Sequence, residues 1–333
     1  MPVIPGPDVS PNPFRGLVSV VLASYNCAAT LPRSIESLLA QTYPHIEIVV
    51  ADDASTDNTA EVVARFASVK YVRRDKNGGV AAARNTGAAA SSGDIIVFGE
   101  SDGYYDADYI EKIIRYLHLP GIAGAINLGR RVWSDKDNVL VRMQNDQFEA
   151  ICDLVERGRR GTGAWAFHRA AFDSVGGYDL GCRIGSDLDL VFRMQKTGLK
   201  TTIGARSNLY HKDPDNLRAW WKRSHRGGVN SALYRERWHG MAGASKKVLY
   251  LVKYAGMALW PAYLLLALVW HVAWLAPFFA VPAYLLTEDA MTRLGWLKGV
   301  RRGDIVLALA TPVLLYIRRL AIGYGRIQGF AKG

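Results

Sequence analysis

The chain has 333 residues, of which 50% are hydrophobic, and a formal net charge of +11 at pH 7. This length and composition allow one large domain with a sizeable core and a further segment beside it. The three cysteines show neither a CxxC spacing nor a histidine pattern, which argues against a zinc site, and we expect reduced thiols. Residues 1–216 hold 24 Lys and Arg against 26 Asp and Glu, so the basic excess lies in the last third of the chain.

The first seventeen residues are Pro-rich and contain no apolar stretch of the kind that opens a secretory signal. We treat residues 1–16 as an N-terminal tail, and we expect the first two thirds of the chain to stay in the cytoplasm.

From residue 17, short β-rich apolar runs alternate with helical patterns. Strands are predicted at 17–24, 46–51, 69–73 and 94–99. Helices are predicted to begin at Thr30 and Pro32, to cover 59–67, and to follow the NGG of 77–79. This alternation indicates a parallel α/β sheet, in which ligands bind beyond the carboxyl ends of the strands. Two acidic loops are predicted to lie on that edge.

The first acidic loop is DDASTD, residues 52–57, which follows the second strand. Asp52 and Asp53 could accept hydrogen bonds from a base or a ribose, as acidic residues at strand ends do in dinucleotide folds. The alternative is an ordinary turn, because Ser, Thr and Asp are also common turn and N-cap residues.

The second acidic loop lies in FGESDGYY, residues 98–105, where the fourth strand stops. Glu100 and Asp102 are one residue apart, so both could face one hard divalent ion, Mg²⁺ or Mn²⁺, with a diphosphate supplying further oxygens. The alternative is an exposed acidic turn at a strand end.

The stretch GSDLDLVFRM, residues 185–194, reads as a helix with acidic residues in its first turn. Asp187 and Asp189 would point about 200° apart in one helix, so only one of them can face a given site. Both could instead simply stabilise the helix N-terminus. His211 follows a β-like run and is either a metal ligand or an ordinary histidine.

Residues 217–247 form a basic segment, with 8 Lys and Arg against 1 acidic residue. Arg223 and Arg226 could clamp a diphosphate, and Trp220 and Trp221 could stack on an acceptor sugar or lie at a membrane interface. A juxtamembrane amphipathic helix is the alternative, and one helix could serve both purposes.

Residues 248–286 contain a single charged side chain, Lys253, and are long enough for two membrane crossings of roughly 20 residues each. One long tilted helix and a buried hairpin of a soluble protein are the alternatives. Residues 287–333 are basic again, and the apolar piece 305–317 with its basic continuation is predicted to lie in the membrane interface or to make a short crossing. Basic flanks on both sides favour a hairpin whose ends face the cytoplasm, and lipid is a simpler partner for them than nucleic acid.

Four motifs taken together, in their order and spacing, resemble family 2 glycosyltransferases of the GT-A fold. They are VSVVLASYN (18–26), VVADDASTDNT (49–59), NGGVAAARNTG (77–87) and ESD (100–102). The resemblance covers about residues 17–240, and the apolar tail looks like the membrane anchor of many such enzymes. It implies a GT-A domain over residues 17–216, followed by transmembrane and interfacial helices.

The resemblance also implies roles for individual residues of the nucleotide pocket. Asp53 would contact the nucleotide base with Asp52 beside it, Tyr25 would stack near the base, and Arg84 and Asn85 would shape the pocket.

Two positions depart from the family pattern. The metal motif is usually Asp-x-Asp, and Glu100 stands in its first place, so Asp102 is the expected direct ligand and Glu100 a metal, ribose or supporting ligand. The base motif is often Glu-Asp, and here Ser186 precedes Asp187, which would deprotonate the acceptor hydroxyl. Some GT-A enzymes also place a late histidine on the metal, a position that His211 would take.

These features predict a membrane-anchored, inverting, metal-dependent, hexosyltransferase-like enzyme of cell-envelope glycan biosynthesis. The resemblance implies a nucleotide-diphospho-sugar donor, a lipid-linked or glycan acceptor, Mg²⁺ or Mn²⁺, membrane lipids as partners and no nucleic acid. The two departures leave open a catalytically silent protein that binds a nucleotide sugar or docks a partner. A channel or transporter is disfavoured because the apolar segments hold no paired charges.

Overall fold

The computed structural model describes residues 14–156, 165–182, 185–239, 297 and 301–332. In chain order the elements are β1 Val18–Ser24, α1 Leu31–Leu39, β2 Ile46–Asp52, α2 Thr59–Val63, β3 Val69–Arg73, α3 Val80–Ala90, β4 Ile95–Glu100, β5 Gly103–Tyr105, α4 Tyr109–Ile114, β6 Ile122–Val132, α5 Val139–Glu156, β7 Trp165–His168, α6 Arg169–Ser174, α7 Ser186–Lys196, β8 Lys200–His211, α8 Leu217–His239 and α9 Ile305–Lys332.

The strands form one eight-stranded mixed sheet in the order β3-β2-β1-β4-β7-β6-β8-β5. The pairs β3-β2, β2-β1 and β1-β4 are parallel, as the alternating pattern predicts. The other half departs from that prediction, because β7 runs antiparallel to β4 and β6, and β5 runs antiparallel to β8, although β6 and β8 are parallel. Consecutive parallel pairs therefore extend only across the first four strands, and β6-β8 is an isolated parallel pair in the other half.

The parallel half owes its stability to apolar side chains on both faces of the sheet. Successive strand residues point to opposite faces, and Val20 and Val50 pack in one core cluster whereas Val21 and Val49 pack in another. All four are buried. Because helices cover both faces, these strands read as continuous apolar runs rather than as alternating ones.

The register places the two acidic loops on one edge, as predicted. Ser24 at the end of β1 pairs with Asp52 at the end of β2, and Ala23 pairs with Glu100 at the end of β4. Both loops thus leave the sheet at the carboxyl ends of adjacent parallel strands.

One predicted helix is shorter in the structure. The sequence predicts a helix over 59–67, whereas α2 ends at Val63. The Ala64 N–H still bonds four residues back, to the Ala60 C=O, but the next two amides bond three residues back, from Arg65 N–H to Val62 C=O and from Phe66 N–H to Val63 C=O. This shorter spacing tightens the chain into turns.

The chain divides into two compact units, the first comprising residues 1–133 and 151–212 and the second residues 134–150 and 213–333. The first holds the whole sheet. Residues 134–150 and 213–216 fall in the second unit, and the domain boundary predicted at residue 216 stays a prediction.

The second unit contains α8 and α9, and its apolar cluster includes Leu140, Met143, Trp220, Leu307 and Leu315. The 13-residue apolar piece predicted at 305–317 is part of a much longer helix, α9, which has 28 residues. Among the described residues it is the one helix that is long and apolar enough to cross a membrane. The predicted hairpin at 248–286 lies outside the described residues.

Candidate active site

Asp52 lies beneath the first acidic loop and is fully buried. Its carboxylate accepts hydrogen bonds from Ser55, through both N–H and Oγ, from the Tyr71 hydroxyl at 2.5 Å and from Arg73 at 3.1 Å. Burial and the neighbouring carboxylate raise the pKa of Tyr71, so its phenol stays a donor. Asp52 therefore has a structural role, because its hydrogen bonds hold the first acidic loop to β3.

Asp53 follows directly and is also buried. Its carboxylate accepts the N–H groups of Gly78 at 3.0 Å and Gly79 at 2.7 Å, and it pairs with Arg74. Gly79 has a φ of 84°, a conformation that a residue without a Cβ adopts readily, and it precedes α3. Asp53 therefore holds the NGG turn at the entry to α3, and its contact with a base stays a prediction.

The SYN turn after β1 is docked on the first acidic loop through Asn26, a residue that the sequence did not single out. Asn26 has a φ of 54°, and its side-chain oxygen accepts the N–H of Thr56 at 2.8 Å and of Asp57 at 3.3 Å. Tyr25 beside it is 48% exposed, so its ring is available for the predicted stacking on a base.

Arg84 and Asn85, neighbours on α3, have different structural parts. Asn85 bonds the backbone of Tyr178 twice, accepting its N–H at 2.9 Å and donating to its C=O at 2.8 Å. Asn85 thus fixes the segment before α7, and the part predicted for it in the nucleotide pocket stays a prediction. Arg84 is buried and donates to Asp187 Oδ1 at 2.7 Å, and its other terminal nitrogen lies 3.7 Å from Glu100 Oε1.

Arg84 is thus a buried cation that joins the two carboxylates predicted to act in catalysis. Burial lowers the pKa of its guanidinium, but the negative charge of Asp187 and further anionic neighbours more than offset this, and the net pKa is raised. The guanidinium also lies over the ring of Tyr178, 5.3 Å from its centroid. The permanently charged Arg84 therefore holds the carboxylates of Asp187 and Glu100 close to each other.

Tyr178 is a second contact of Asp187 that the sequence did not reveal. Its hydroxyl lies 2.9 Å from Asp187 Oδ1, the same oxygen that receives Arg84. Burial, followed by the charge of Asp187, raises the pKa of Tyr178 well above its usual value, so the hydroxyl stays protonated and donates. Only its position nine residues before Asp187 could have hinted at this pairing.

The structure separates the two rival bases of α7, as their angular spacing predicts. Asp187 lies in the first turn with 34% of its side chain exposed, whereas Asp189 is fully buried and paired with Arg193 at 2.9 Å. Asp189 is therefore a structural ion-pair partner, and Asp187 is the carboxylate that can meet a substrate.

Glu100, Asp102 and His211 converge, although His211 is more than one hundred residues away in the chain. Each offers a ligand atom, and these atoms lie within 4.8 Å of one another. The pairing of β5 with β8 brings them together, because Gly103 lies opposite His211 and Asp102 precedes Gly103. The sequence-predicted metal residues thus form one cluster.

The electrostatics of this cluster suit a cation. His211 Nε2 lies 3.1 Å from Asp102 Oδ1. Burial raises the pKa of Asp102, but the hydrogen bond and charge of His211 outweigh it, so the net pKa lies below the usual range. Two carboxylate oxygens and an imidazole nitrogen are a donor set that fits a divalent metal ion.

The four predicted residues of α8 belong to the second unit. Trp220 is 4% exposed and packs in the apolar cluster of that unit, so it cannot offer a surface to an acceptor sugar. Trp221 is 36% exposed. Arg223 pairs with the buried Asp213, and Arg226 is exposed, and the diphosphate contacts predicted for both stay predictions.

A family model described as "Glycosyl transferase family 2" matches residues 19–176. The chain is 36% identical over 103 residues to the Escherichia coli UDP-Glc:alpha-D-GlcNAc-diphosphoundecaprenol beta-1,3-glucosyltransferase WfaP, covering 30% of this chain and 41% of that protein. It is 25% identical over 254 residues to the poly-beta-1,6-N-acetyl-D-glucosamine synthase of Staphylococcus epidermidis, covering 72% of this chain and 61% of the synthase. The chain therefore spans less than two thirds of these curated relatives.

Among solved structures, the chain is similar to the mannosyltransferase PcManGT from Pyrobaculum calidifontis in complex with GDP-Man and Mn²⁺. The TM-score is 0.56 at 20% sequence identity, covering 98% of this chain and 89% of that one. At 20% identity the structural similarity establishes the fold, and the match to the family model establishes the family. The domain that begins at residue 19 therefore belongs to glycosyl transferase family 2 and has the GT-A fold.

Proposed function

We propose that the chain is an inverting glycosyltransferase. It transfers a sugar from a nucleoside-diphosphate donor to a lipid-linked or glycan acceptor at the cytoplasmic face of a membrane. Relatives named for cell-envelope glycans support the acceptor class, and the protein with the similar fold was solved with GDP-Man.

The observation that carries the proposal is the placement of Asp187. It is partly exposed, it lies at the start of α7, and the Arg84 guanidinium links it to Glu100 of the candidate metal cluster. A base for the acceptor hydroxyl must lie near the donor diphosphate yet remain open to a second substrate. The exposure of Asp187 and its link through Arg84 to the candidate metal cluster support this role.

The residues around Asp187 orient it for proton transfer. Arg84 and Tyr178 both bond Oδ1, which fixes the carboxylate plane and directs Oδ2 to the acceptor hydroxyl. The acceptor oxygen would lose its proton to Asp187 as it attacks the anomeric carbon, with the diphosphate leaving from the opposite face, which inverts that carbon.

The candidate metal cluster serves the leaving group. Glu100, Asp102 and His211 would hold a divalent cation, Mg²⁺ or Mn²⁺, whose charge offsets the charge that develops on the leaving diphosphate. Tyr105 contacts the backbone of this cluster. Its hydroxyl accepts the Glu100 N–H at 2.5 Å and donates to the Glu100 C=O at 3.3 Å. The Glu100 backbone is thereby fixed at the end of β4.

Substitution of Asp187 tests the proposal. We expect Asp187→Asn to lower transfer by at least about 100-fold, because removal of a general base costs on the order of 10²–10⁴ in rate. Nucleotide-sugar binding, measured as thermal stabilisation by UDP-, GDP- and dTDP-sugars with Mn²⁺, should survive. The matched control is Asp173→Asn, an exposed aspartate of α6 that should keep full activity.

Two outcomes would contradict the proposal. Full turnover by Asp187→Asn would remove Asp187 from the mechanism. Nucleotide-sugar binding by the unaltered chain, without release of nucleoside diphosphate in the presence of metal and acceptor extract, would favour the catalytically silent binding protein.

A further inference from the structure

A group of aromatic and cationic side chains borders the candidate metal cluster on the side of β5, β6 and β8. It consists of Arg33, Tyr104, Trp133, Tyr210 and Lys212, and we refer to these five residues as the aromatic platform. The three rings are half-buried, and the two cations are exposed. All five residues belong to the first unit.

The rings of the platform are fixed by their strands. Tyr104 of β5 lies opposite Tyr210 of β8, and the two rings stack in parallel with centroids 4.5 Å apart. Trp133 directly follows β6 and meets Tyr104 edge-on at 5.4 Å. The platform is therefore a rigid surface and not a set of loose side chains.

The two cations rest on these rings. The Arg33 guanidinium lies 3.9 Å from the Tyr104 centroid and 4.8 Å from that of Trp133, and Lys212 Nζ lies 5.2 Å from that of Trp133. Neither cation forms an ion pair with any carboxylate among the described residues. An arginine on an aromatic face keeps most of its N–H donors at the ring edge, where they can bind an anion.

The platform is tied to the candidate metal cluster by backbone hydrogen bonds. The Trp133 N–H donates to the His211 C=O at 2.7 Å, and the Lys212 N–H donates to the Asp102 C=O at 2.8 Å. The start of α1, which carries Arg33, is fixed to the same turn, because Ser34 Oγ donates to the Glu100 C=O at 3.0 Å. The segments that carry the platform are therefore hydrogen-bonded to the segments that carry the candidate metal cluster.

The predicted base-binding residues lie elsewhere on the sheet. Asp53 follows β2, next to the β3 end of the strand order, whereas the platform lies on β5, β6 and β8 at the other end. The platform thus has a location for a second substrate rather than for the nucleotide base.

The chemistry of the platform specifies its ligand. The apolar C–H face of a pyranose ring packs on an open face of an indole or phenol ring, and a phosphate accepts paired hydrogen bonds from an arginine. Tyr210 and Arg33 cover the two faces of Tyr104, so the sugar would pack on Trp133 or Tyr210. We propose that the aromatic platform is the acceptor subsite, and that it takes a carbohydrate bearing a phosphate or diphosphate group. This assignment rests on the proposed function.

Direct binding tests the assignment without any need for transfer activity. The probe is glucose 1-phosphate, compared with glucose and with inorganic phosphate, observed by saturation-transfer NMR on the full chain in detergent. We expect saturable binding of glucose 1-phosphate, stronger than that of either fragment. Arg33→Ala and Trp133→Leu should each weaken it about tenfold or more, as loss of a charge-assisted or stacking contact does.

A second exposed cation–aromatic pair provides matched controls. Lys196 lies 4.8 Å from the Phe192 ring centroid on α7, and both residues are exposed. Lys196→Ala and Phe192→Leu should leave glucose 1-phosphate binding unchanged. Equal losses in these controls, or no binding to the unaltered chain, would overturn the assignment.

Two further arms separate the sources of the phosphate. Saturating nucleoside diphosphate with Mn²⁺ should not displace glucose 1-phosphate, and displacement would assign the platform to the donor. Vesicles of phosphatidylglycerol should bind Arg33→Ala as well as they bind the unaltered chain, and selective loss of vesicle binding would assign it to lipid headgroups. Failure of transfer by the unaltered chain with intact platform binding would count against the proposed function alone.

Discussion

Arg84 shows how one buried side chain can organise two carboxylates of the candidate site. It contacts Asp187 and Glu100, which lie on different elements, α7 and β4. A planar guanidinium can bond both at a fixed distance, whereas the ammonium of a lysine would behave as a point charge that reaches one of them. Arg84 is therefore a positioning residue for the proposed base.

We expect Arg84→Lys to lower kcat about tenfold to 100-fold while the KM for the donor changes less than threefold, because geometry is lost and charge is kept. Steady-state kinetics with varied donor measures both constants. The control is Arg193→Lys, which alters the Asp189 ion pair and should lower thermal stability with kcat retained. If both variants lose stability and kcat in parallel, the effect of Arg84 is only structural.

The imidazole of His211 distinguishes this metal cluster from one built of oxygen alone. Mg²⁺ favours an all-oxygen shell, whereas Mn²⁺ accepts an imidazole more readily. We expect chelation to abolish transfer and Mn²⁺ to restore it at lower concentration than Mg²⁺. His211→Ala should weaken Mn²⁺ binding about tenfold or more, measured by the electron paramagnetic resonance of free Mn²⁺.

The control for His211 is His118→Ala, which alters an exposed histidine outside the cluster and should keep Mn²⁺ affinity unchanged. Activity that survives chelation would remove the metal roles given to Glu100, Asp102 and His211 together.

At the residue scale the sequence could indicate chemistry but not partners. Glu100, Asp102 and Asp187 stand out because carboxylates directly after strands, or in a first helical turn, are readily recognised. The sequence could not show that Asp52 spends its carboxylate on Ser55 and Tyr71, nor that Tyr178 bonds Asp187. Those contacts depend on three-dimensional packing, which local pattern does not encode.

At the element scale, Glu47 of β2 joins three segments of the parallel half. Its carboxylate accepts the Ser19 hydroxyl of β1, and it accepts the N–H of Ser92 and, at 2.9 Å, of Gly93 in the turn before β4. Burial raises the pKa of Glu47, but these hydrogen bonds outweigh burial and hold the pKa below its ordinary value of 4.5. The carboxylate form is thus the one that stabilises the fold.

A lowered pKa predicts how stability depends on pH. The contribution of Glu47 should be complete above pH 4.5, the ordinary value, and should be lost as pH falls through the lower folded-state pKa. Glu47→Gln should cost about 1 kcal/mol of unfolding free energy at pH 7, a modest figure because Glu47 is only partly buried. Urea unfolding at pH 7 and pH 3 measures the difference.

The control for this prediction is Glu36→Gln on the exposed face of α1, which should have no effect at either pH. A Glu47→Gln deficit that persists undiminished at pH 3 would show that the charge of Glu47 is not responsible.

Elements with strong local patterns were predictable, and those that depend on distant pairing were not. The strands β1 to β4 are apolar runs punctuated by turns, and the structure confirms all four. The three-residue β5 and four-residue β7 are too short to carry a periodic signal, and they form only because β8 and β4 accept them as antiparallel partners. Because β5 and β7 could not be predicted, the sequence did not reveal that the sheet contains antiparallel pairs.

At the scale of the whole molecule, α9 bears on whether the chain is membrane-bound. Its apolar part, Ile305–Gln328, has 24 residues, and the most apolar 18-residue stretch within it has a mean hydropathy of 1.9 and is 31% buried. At about 1.5 Å per residue this length exceeds the roughly 30 Å of a hydrocarbon core. Exposed apolar side chains such as Val306 and Val313 would face water in a soluble protein.

We expect the full chain to sediment with membranes and to resist extraction by high salt and by alkaline carbonate, because apolar burial rather than charge would hold it there. Quantitative immunoblotting of the washed fractions measures retention. Release by salt alone would indicate surface binding through the basic segments, and recovery in the soluble fraction would contradict membrane association altogether.

The distribution of basic residues predicts which side of the membrane the sheet unit faces. The segments 217–247 and 287–333 each hold 8 Lys and Arg, against 1 and 3 acidic residues, and basic flanks remain preferentially on the cytoplasmic side. The sheet unit lies N-terminal to both, so a protease added to inside-out vesicles should digest it, whereas right-side-out vesicles should protect it. Detergent-opened right-side-out vesicles serve as the control, because protection there would reflect resistance to the protease. Digestion in sealed right-side-out vesicles alone would reverse the orientation and place the proposed reaction on the opposite membrane face.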